Sequence, residues 1–276
     1  MDRVMSDGRA LSLKEAGNYL WPHLRALPAF RAFIRSMESR LFDQLGPLPQ
    51  PILDVGSGEG HFASTVWEHI DVGLDPDLES LRESRSFGIY DLLVKADGAR
   101  MPFREGTFAT AISNSVLEHV PALPELLADV FRVLQPGGRF IFSVPTPTLN
   151  EGLALTRAFR ALGADDLAAR YTGWFTKMQV HHNLLSEEVW IEHLHRTGFE
   201  VEQRIGYFSR RAARLFDLGH YAGVPSLISR RLTGEWVPLP WRPRFAPLER
   251  LLAPHIAEYD PPDATSVFFV TRKPMG

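Results

Sequence analysis

Three glycines at alternate positions, Gly56, Gly58 and Gly60, are the residues whose spacing most clearly indicates chemistry. They follow four residues of strand character, and a segment with helical spacing extends from His61 to Ile70. Glycine lets the backbone adopt conformations closed to other residues and lets a ligand lie against the main chain. The first turn of a helix also offers unpaired N–H groups and the positive end of a dipole. The sequence therefore predicts a nucleotide-type binding site at the carboxyl end of a strand.

The spacing of these glycines distinguishes a dinucleotide cofactor from other nucleotide cofactors. The dinucleotide fingerprint is G-x-G-x-x-G, but the chain reads G-x-G-x-G and has His61 at the position of the third glycine. Asp54 stands two residues before Gly56, where a carboxylate would be poorly placed beside a pyrophosphate. It would suit a cofactor that carries an amino acid's ammonium group or a sulfonium. A generic glycine turn of an α/β protein is the alternative, so the interpretation depends on the segments that follow.

An acidic residue, Asp75, stands at the end of the second predicted strand, 19 residues after Gly56. A carboxylate about 20 residues beyond a glycine turn binds the ribose hydroxyls in nucleotide sites. The alternative is that Asp75 caps the helix predicted over residues 78–87, because aspartate is common before a helix. Asp77 can serve as that cap equally well, which leaves Asp75, with Pro76 beside it, for the ligand.

Composition limits the class of protein. The 276 residues suffice for a sizeable core in one large domain or one domain with an insertion. The net charge of −3 does not indicate nucleic acid as a partner, and the absence of cysteine excludes disulfides, thiolate metal sites and a cysteine nucleophile. No apolar run approaches the ~18 residues of a membrane span, and residues 1–10 are too polar for a signal peptide. We therefore expect a cytoplasmic protein.

Strand and helix patterns alternate along the middle of the chain, which predicts a parallel sheet covered on both faces. An apolar face at helical spacing over residues 11–45 predicts an N-terminal helical cover, with Pro28 in a first turn and Gly46 at the stop. The predicted units are this cover over residues 1–49, a binding core over 50–206 with an inserted stretch of two helices at 147–185, an insertion over 207–264, and a last strand over 265–276.

Five motifs, in this order and spacing, make the chain resemble the class I S-adenosylmethionine (SAM)-dependent methyltransferases of the small-molecule type. They cover about residues 50 to 145: the glycine turn, Gly73-Leu74-Asp75, residues 97–103, Val116-Leu117-Glu118-His119, and residues 132–138. The resemblance implies an α/β fold with a Rossmann-like, doubly wound, mostly parallel sheet of seven strands, here with a helical insertion before the last strand. It also implies SAM as the cofactor and methyl transfer to a small-molecule acceptor, for which we expect a hydroxyl oxygen.

The resemblance also assigns residues to the cofactor. It places Gly56, Ser57, Gly58 and Gly60 beside the methionine part of SAM and Asp75 at the ribose. The stretch 147–185 and the insertion over 207–264 would then lie on the acceptor side, because long insertions in compact domains are usually functional.

Two further segments are assigned to the cofactor by the same resemblance. Asp97, with the backbone of Gly98 and Ala99, would meet the adenine, and Asn114 would close over the sulfonium side. The fourth strand departs from the family pattern, because Ala109 stands where an aspartate with a mostly structural role is usual. A non-catalytic SAM-fold binding or regulatory subunit is therefore the alternative function.

Histidines near the predicted methyl position are candidate bases, because the ordinary pKa of histidine is about 6.5. His119 follows the fourth strand, and His181 and His182 lie in the acceptor-side stretch. His119 and His182 are the predicted catalytic residues, and the alternative for each is a structural or surface role. His181 and His182 are adjacent, and adjacent side chains point apart along a strand or helix. No group of acidic residues accompanies these two histidines, so no metal site is expected.

The stretch over residues 204–250 has an unusual charge. It holds nine arginines and three acidic residues, which makes it +6 and leaves −9 for the rest of the chain, −3 in total. Arginine favours phosphate and carboxylate groups, and arginine beside tryptophan and leucine also suits an anionic membrane surface. The stretch therefore predicts an anionic, glycan or lipid-linked acceptor, with weak membrane-surface contact. A solvated arginine-rich lid is the alternative.

Overall fold

A seven-stranded sheet forms the centre of the computed structural model, which describes residues 17–276 apart from the side chains of residues 222 and 224. In chain order the strands are β1 Ile52–Val55, β2 Ile70–Asp75, β3 Tyr90–Lys95, β4 Phe108–Asn114, β5 Leu134–Pro145, β6 Glu200–Ser209 and β7 Ala264–Arg272. Their order across the sheet is β3-β2-β1-β4-β5-β7-β6, and β7 runs antiparallel to both of its neighbours. The predicted mostly parallel sheet of seven strands is therefore confirmed.

The strand order changes direction between β1 and β4. From β1 the chain first builds the sheet through β2 to β3, and it then returns to place β4 on the other side of β1. The connections that leave β1 and β4 therefore diverge, which opens a crevice beyond the carboxyl ends of these strands. The glycine turn follows β1 and so lies at the mouth of this crevice.

Helices pack on both faces of the sheet. In chain order they are α1 Trp21–Leu24, α2 Ala29–Asp43, α3 His61–Val66, α4 Leu78–Ser84, α5 Leu123–Val133, α6 Thr148–Gly152, α7 Ala154–Ala161, α8 Asp165–Met178, α9 Glu187–Thr197, α10 Arg210–Ala222, α11 Val224–Thr233 and α12 Arg242–Ile256. Two clusters of buried apolar side chains lie against the two faces. Ile52 packs in one cluster and Leu53 in the other, as the alternation of side chains along a strand requires.

The N-terminal cover consists of two helices where the sequence predicted one continuous helical pattern. Residues 25–28 separate α1 from α2, and Pro28 precedes α2, with φ −54° and ψ 143°, instead of lying inside its first turn. Proline has no N–H group to continue the hydrogen bonding of α1, which explains the break. Gly46, with φ +70°, follows the end of α2, and residues 11–16 of the predicted helix lie outside the described residues.

Two other predicted segments also differ from the structure. The helix expected over residues 61–70 ends at Val66, because β2 begins at Ile70. The stretch 147–185 holds three helices, α6, α7 and α8, where two were predicted.

The inserted helices α10, α11 and α12 lie between β6 and β7. They begin at Arg210, because β6 continues to Ser209. Ala212, Ala213 and Phe216 of α10 pack in the same buried cluster as Phe33 of α2, so the insertion shares a core with the N-terminal cover. Across residues 17–276, no helix is both long enough and apolar enough to cross a membrane.

Candidate functional site

The glycine turn is held against β2 by its own backbone. The N–H groups of Gly56 and Ser57 both donate to the carbonyl oxygen of Leu74, at 2.8 and 3.0 Å. Gly56, Gly58 and Gly60 have φ values of +77°, +53° and +78°. A Cβ atom on Gly56 would lie 2.5 Å from Val116 Cγ1. Glycine is required here by its conformation and by this close approach.

Gly58 differs from the other two glycines because, among the described residues and apart from its chain neighbours, no heavy atom lies within 4 Å of the position of its missing Cβ. Its N–H group donates to Asp75 Oδ2 at 2.9 Å, which ties the turn to the end of β2. The turn therefore presents a bare stretch of main chain to the crevice, beside a carboxylate.

Asp75 and Asp77 have the separate positions that the sequence predicted. Asp77 caps α4 by accepting hydrogen bonds from the N–H groups of Glu79 and Ser80, at 3.4 and 3.0 Å. Asp75 lines the crevice, and its Oδ1 accepts one bond, from the Asp77 N–H at 2.8 Å. A carboxylate oxygen can accept more than one hydrogen bond, so Asp75 keeps acceptor capacity for a ribose.

Asp54 also lines the crevice, but a phenol that the sequence analysis did not consider already binds it. The Tyr90 hydroxyl donates to Asp54 Oδ2 at 2.6 Å. Burial raises the pKa of Asp54 to about 7, although the hydrogen bond from Tyr90 acts in the opposite direction. The predicted contact with an ammonium group would therefore use Asp54 Oδ1, because Oδ2 already accepts the hydrogen bond from Tyr90.

The predicted cofactor residues divide into two groups in the structure. A cavity of about 240 Å³ is lined by Asp54, Asp75, Asn114 and the glycine turn. Its lining does not include the other predicted residues, which are Pro76, Asp97, Gly98 and Ala99. The Ala99 N–H donates to Asp97 Oδ1 at 2.9 Å, and a Cβ on Gly98 would lie 2.9 Å from Leu126 Cδ1. The adenine role of this second turn stays a prediction.

The cavity fits the cofactor predicted from the sequence. Ser57 is buried, and its Oγ has no hydrogen-bond partner in the described part of the chain. A buried polar atom without a partner indicates a group that a ligand or water completes. Together with the bare main chain at Gly58 and the acceptor capacity of Asp75, it offers a polar cradle for an amino-acid and ribose ligand.

A buried carboxylate on the N-terminal cover, Glu38, was missed by the sequence analysis. Its side chain is fully buried, and it accepts hydrogen bonds from Arg35 at 2.6 Å, Ser115 at 2.7 Å, Asn114 at 2.9 Å and Tyr207 at 3.0 Å. Asn114 was predicted to close over the sulfonium side; its amide donates to Glu38 Oε2, and its role at the cofactor stays a prediction. A signal existed, because Glu38 interrupts the apolar face of α2 between Ile34 and Leu41.

A second cavity, of about 270 Å³, adjoins the first. Arg31, Arg35 and Ser115 line both cavities, so the two meet at these residues. Three residues that line the second cavity each carry a buried side-chain atom without a hydrogen-bond partner among residues 17–276, namely Glu118 Oε2, Ser266 Oγ and His220 Nδ1. Unpartnered buried polar atoms are groups that a polar ligand or water completes. We call this second cavity the acceptor cavity.

Of the predicted histidines, the structure places His119 and His181 on the acceptor cavity, with their ring centres 5.2 Å apart. His182 is exposed and does not line it; its backbone N–H donates to the carbonyl oxygen of Glu118 at 2.7 Å. Burial lowers the pKa of His119. Burial and the charge of the nearby His119 together lower the pKa of His181 to about 4. Burial raises the pKa of Glu118 to about 8. The roles of His119 and His182 as bases stay predictions.

Comparison with known proteins identifies relatives of this chain. Residues 28–204, more than half of the chain, match a family model described as a methyltransferase domain. An uncharacterized methyltransferase of Mycobacterium sp. (strain KMS) is 32% identical over 130 residues, which is 46% of this chain and 51% of that protein. The chain thus spans about half the length of the curated relatives it matches.

Solved structures share the fold at low sequence identity. A SAM-dependent methyltransferase of Thermotoga maritima, described as a possible histamine N-methyltransferase, aligns with a TM-score of 0.54 and 15% identity over 88% of this chain and 91% of its own. Phosphoethanolamine N-methyltransferase 2 of Haemonchus contortus, solved in complex with SAM, aligns with a TM-score of 0.52 and 17% identity over 86% of this chain and 52% of its own. At these identities the likeness shows the fold alone.

Proposed function

This chain belongs to the class I SAM-dependent methyltransferases, and on that basis we propose that it transfers a methyl group from SAM to a hydroxyl oxygen of a small-molecule acceptor. SAM is the cofactor of this family, so the predicted cofactor is confirmed at that level. The observation that carries the proposal is the meeting of the two cavities at Arg31, Arg35 and Ser115. A cofactor held in one cavity and an acceptor held in the other would approach each other there.

The chain supplies binding and orientation for this reaction. When bound, SAM supplies a methyl group on a positively charged sulfur. Asp75 and the glycine turn would hold its ribose and methionine parts, while Glu38 fixes the side chains of Asn114 and Ser115 between the cavities. Holding two reactants in one geometry accelerates displacement.

The lining of the acceptor cavity supports a compact acceptor that carries hydrogen-bonding groups. Glu118 Oε2, Ser266 Oγ and His220 Nδ1 would each gain a partner from its hydroxyl groups. Phe30 and Phe216 also line the cavity and would pack against an apolar part of the acceptor. Arg31 and Arg35 bring positive charge to the same space, which is compatible with an anionic acceptor.

The exposed face of the insertion supports a membrane surface as the place where the acceptor is met. Leu232, Leu239 and Trp241 are 80%, 77% and 68% exposed, and Arg231 and Arg244 are exposed close to them in the sequence. Apolar side chains flanked by arginines suit the interface of an anionic bilayer. We therefore propose weak contact of α11 and the segment after it with anionic lipid.

Vesicle sedimentation tests this contact. At low salt the protein should sediment with vesicles of phosphatidylcholine and phosphatidylserine and not with phosphatidylcholine alone. The double variant Arg231→Gln and Arg244→Gln should lose most of this binding, and added salt should do the same. Arg170→Gln, on the exposed face of α8, is the matched control. If the wild-type protein ignores anionic vesicles at low salt, the insertion is only a lid.

Transfer of tritium from methyl-labelled SAM onto a total metabolite and lipid extract tests the activity itself. We expect labelled product that requires the protein and that withstands mild acid, as a methyl ether does. The alternative, a non-catalytic SAM-fold binding or regulatory subunit, predicts SAM binding by calorimetry with no labelled product from any extract. A cytoplasmic location, expected from the sequence, stays a prediction.

A further inference from the structure

We propose that Glu118, His119 and His181 form a binding site for a divalent metal ion in the wall of the acceptor cavity. This inference rests on the proposed function, because the ion would hold the acceptor's hydroxyl group. One ligand atom from each of the three side chains lies within 4.8 Å of the others, and all three residues line the cavity. A tetrahedral site with bonds of about 2.0 Å needs ligand atoms about 3.3 Å apart, so modest side-chain rotations would complete it.

The orientation of His119 suits a metal ligand. Its Nδ1 lies 3.1 Å from the carbonyl oxygen of Val180, and a carbonyl only accepts, so Nδ1 carries the hydrogen and donates. The lone pair is therefore on Nε2, which lies 3.8 Å from Glu118 Oε1. Metal-binding histidines characteristically donate their second ring N–H to a carbonyl or carboxylate, which fixes the tautomer and the ring.

Glu118 provides the independent evidence for a ligand. It is 2% exposed, and its Oε2 has no hydrogen-bond partner within the described residues. A buried carboxylate that lacks a partner on one oxygen is costly unless a cation or a donor completes it. The nearby guanidinium of Arg35 pairs with Glu38 at 2.6 Å, and within the described residues it makes no hydrogen bond to Glu118 Oε2.

A second group, His69, Asp71 and Asp91, has similar distances between its ligand atoms, but it differs in burial and in the partners of those atoms. Asp71 Oδ2 already accepts the N–H of Ile52 at 2.7 Å, and His69 Nε2 already lies 2.9 Å from Asp91 Oδ2. Two of its members are exposed, and none lines the acceptor cavity. This group serves as an internal control, because it shares the residue types and lacks the buried unpartnered atom.

The donor set selects the class of ion. Two imidazoles and one carboxylate suit zinc, cobalt, manganese or iron in the divalent state, whereas magnesium prefers oxygen ligands. A cation here would draw electron density from the acceptor hydroxyl, so that its proton leaves to a solvent water molecule. The acceptor oxygen would then form the new O–CH₃ bond while the S–CH₃ bond breaks and its electron pair stays on sulfur.

His119 Nε2 can hold a proton or a metal ion, but not both at once. The ion explains the convergence of Glu118 and His181 on this nitrogen, which a lone base would not require. His181 comes from a segment more than sixty residues away in the sequence, and the predicted absence of a metal site rested on the adjacent pair His181 and His182. The structure pairs His181 with His119 instead.

Cobalt binding tests the site without any need for the acceptor. The untagged full-length protein, stripped with a chelator, is titrated with Co²⁺ and followed by calorimetry and by visible absorption. We expect one Co²⁺ per chain with the absorption of a nitrogen- and oxygen-ligated ion. His181→Gln should weaken binding at least tenfold, and Glu118→Gln should do the same. His69→Gln should leave binding unchanged, and circular dichroism checks that each variant is folded.

Two results would overturn the proposal: no uptake of Co²⁺ by the wild-type protein, or binding that survives His181→Gln and is lost with His69→Gln. Because His181 is partly exposed, its variant is expected to fold even if Glu118→Gln does not. Calorimetry of SAM with the same metal-free protein separates the two proposals. SAM binding and methyl transfer without metal uptake would reject the metal site and leave the methyltransferase function standing.

Discussion

The hydroxyl of Tyr207 lies 3.0 Å from Glu38 Oε1, although 169 residues separate the two in the chain. Glu38 belongs to the N-terminal cover and Tyr207 to β6, near the start of the insertion. The same carboxylate holds Asn114, the last residue of β4, and Ser115, which follows it at the junction of the two cavities. Elements from both ends of the chain are therefore joined at the point where the cofactor and the acceptor would meet.

Glu38→Gln should destabilise the protein strongly, because it removes the buried counter-charge of Arg35. It also places the NH₂ group of the glutamine amide among groups that all donate hydrogen bonds to this position. We expect a loss of about 3–5 kcal/mol in the free energy of unfolding. Tyr207→Phe removes one of the bonds and keeps the charge, so about 1 kcal/mol is expected. Urea unfolding measures both. Equal losses for the two variants would show that the carboxylate's charge is not what holds the junction.

Gly58→Ala should separate folding from cofactor binding. The added Cβ meets no atom of the residues that the structure describes, so only the left-handed backbone is penalised, by about 1–2 kcal/mol. SAM binding should nevertheless fall sharply if the ligand lies against this stretch of main chain. Gly56→Ala is the matched variant, in which the Cβ collides with Val116 and the fold itself should suffer. Calorimetry that finds undiminished SAM binding by Gly58→Ala would place the ligand elsewhere.

Asp75→Ala should weaken SAM binding by about 1.5–3 kcal/mol for each hydrogen bond to the ribose that is lost. Asp77→Ala, two residues away, removes the cap of α4 and should cost about 1 kcal/mol of stability with little change in SAM affinity. Isothermal calorimetry with SAM and thermal unfolding, applied to both variants, distinguish the two roles. If Asp77→Ala weakens SAM binding as much as Asp75→Ala does, the carboxylates act only by ordering the turn.

Two buried histidines should make the fold sensitive to acid. His23 Nδ1 lies 3.2 Å from His61 Nε2, which joins α1 to α3 behind the glycine turn. Burial lowers the pKa of His61 to about 4 and that of His23 well below its ordinary value; Glu59 acts against the shift of His61, and Arg31 adds to it. The unfolded chain takes up protons below pH about 6.5 that the folded chain refuses, so stability is lost as the pH falls from about 6.5 to about 4.

The expected loss is at most about 1.4 kcal/mol per pH unit for each histidine. Urea unfolding at several pH values measures it, and His61→Asn should flatten the dependence in this interval. His195→Gln, on the exposed side of α9, is the control and should leave the slope unchanged. A wild-type slope that His61→Asn does not alter would assign the acid sensitivity to carboxylates instead.

Features set by local sequence could be predicted well. The glycine turn, the cap at Asp77 and the sheet depend on backbone conformation and on the period of apolar residues, which neighbouring residues determine. The break at Pro28 and the end of α3 at Val66 were missed, because an apolar pattern continues across short interruptions. Boundaries of this kind are decided by where the next strand must begin.

The acceptor side could not be predicted in the same way. The partners of Glu38 come from α2, β4 and β6, and no local pattern reveals which polar side chains meet across such distances. Tyr90 of β3 reaches Asp54 of β1 across the intervening strand β2, and no local pattern reveals this contact either. The histidine prediction chose His182, whereas tertiary packing brings His181 to the cavity. Only the charge of Glu38 within an apolar helical face gave a signal that sequence reasoning could have used.

The insertion leaves and re-enters the sheet at a single pair of residues, since Ser209 of β6 is the ladder partner of Ala264 of β7. Closing a longer loop between two ends that are already paired raises its entropic cost only slowly, by about 0.6 kcal/mol for each doubling of length. The exposed part of the insertion between α10 and α12 can therefore be lengthened, shortened or exchanged with small effect on the sheet, whereas α10 itself packs in the core shared with α2. Because the glycine turn lies after β1, on a different connection, such changes would alter the choice of acceptor while the cofactor site stays the same.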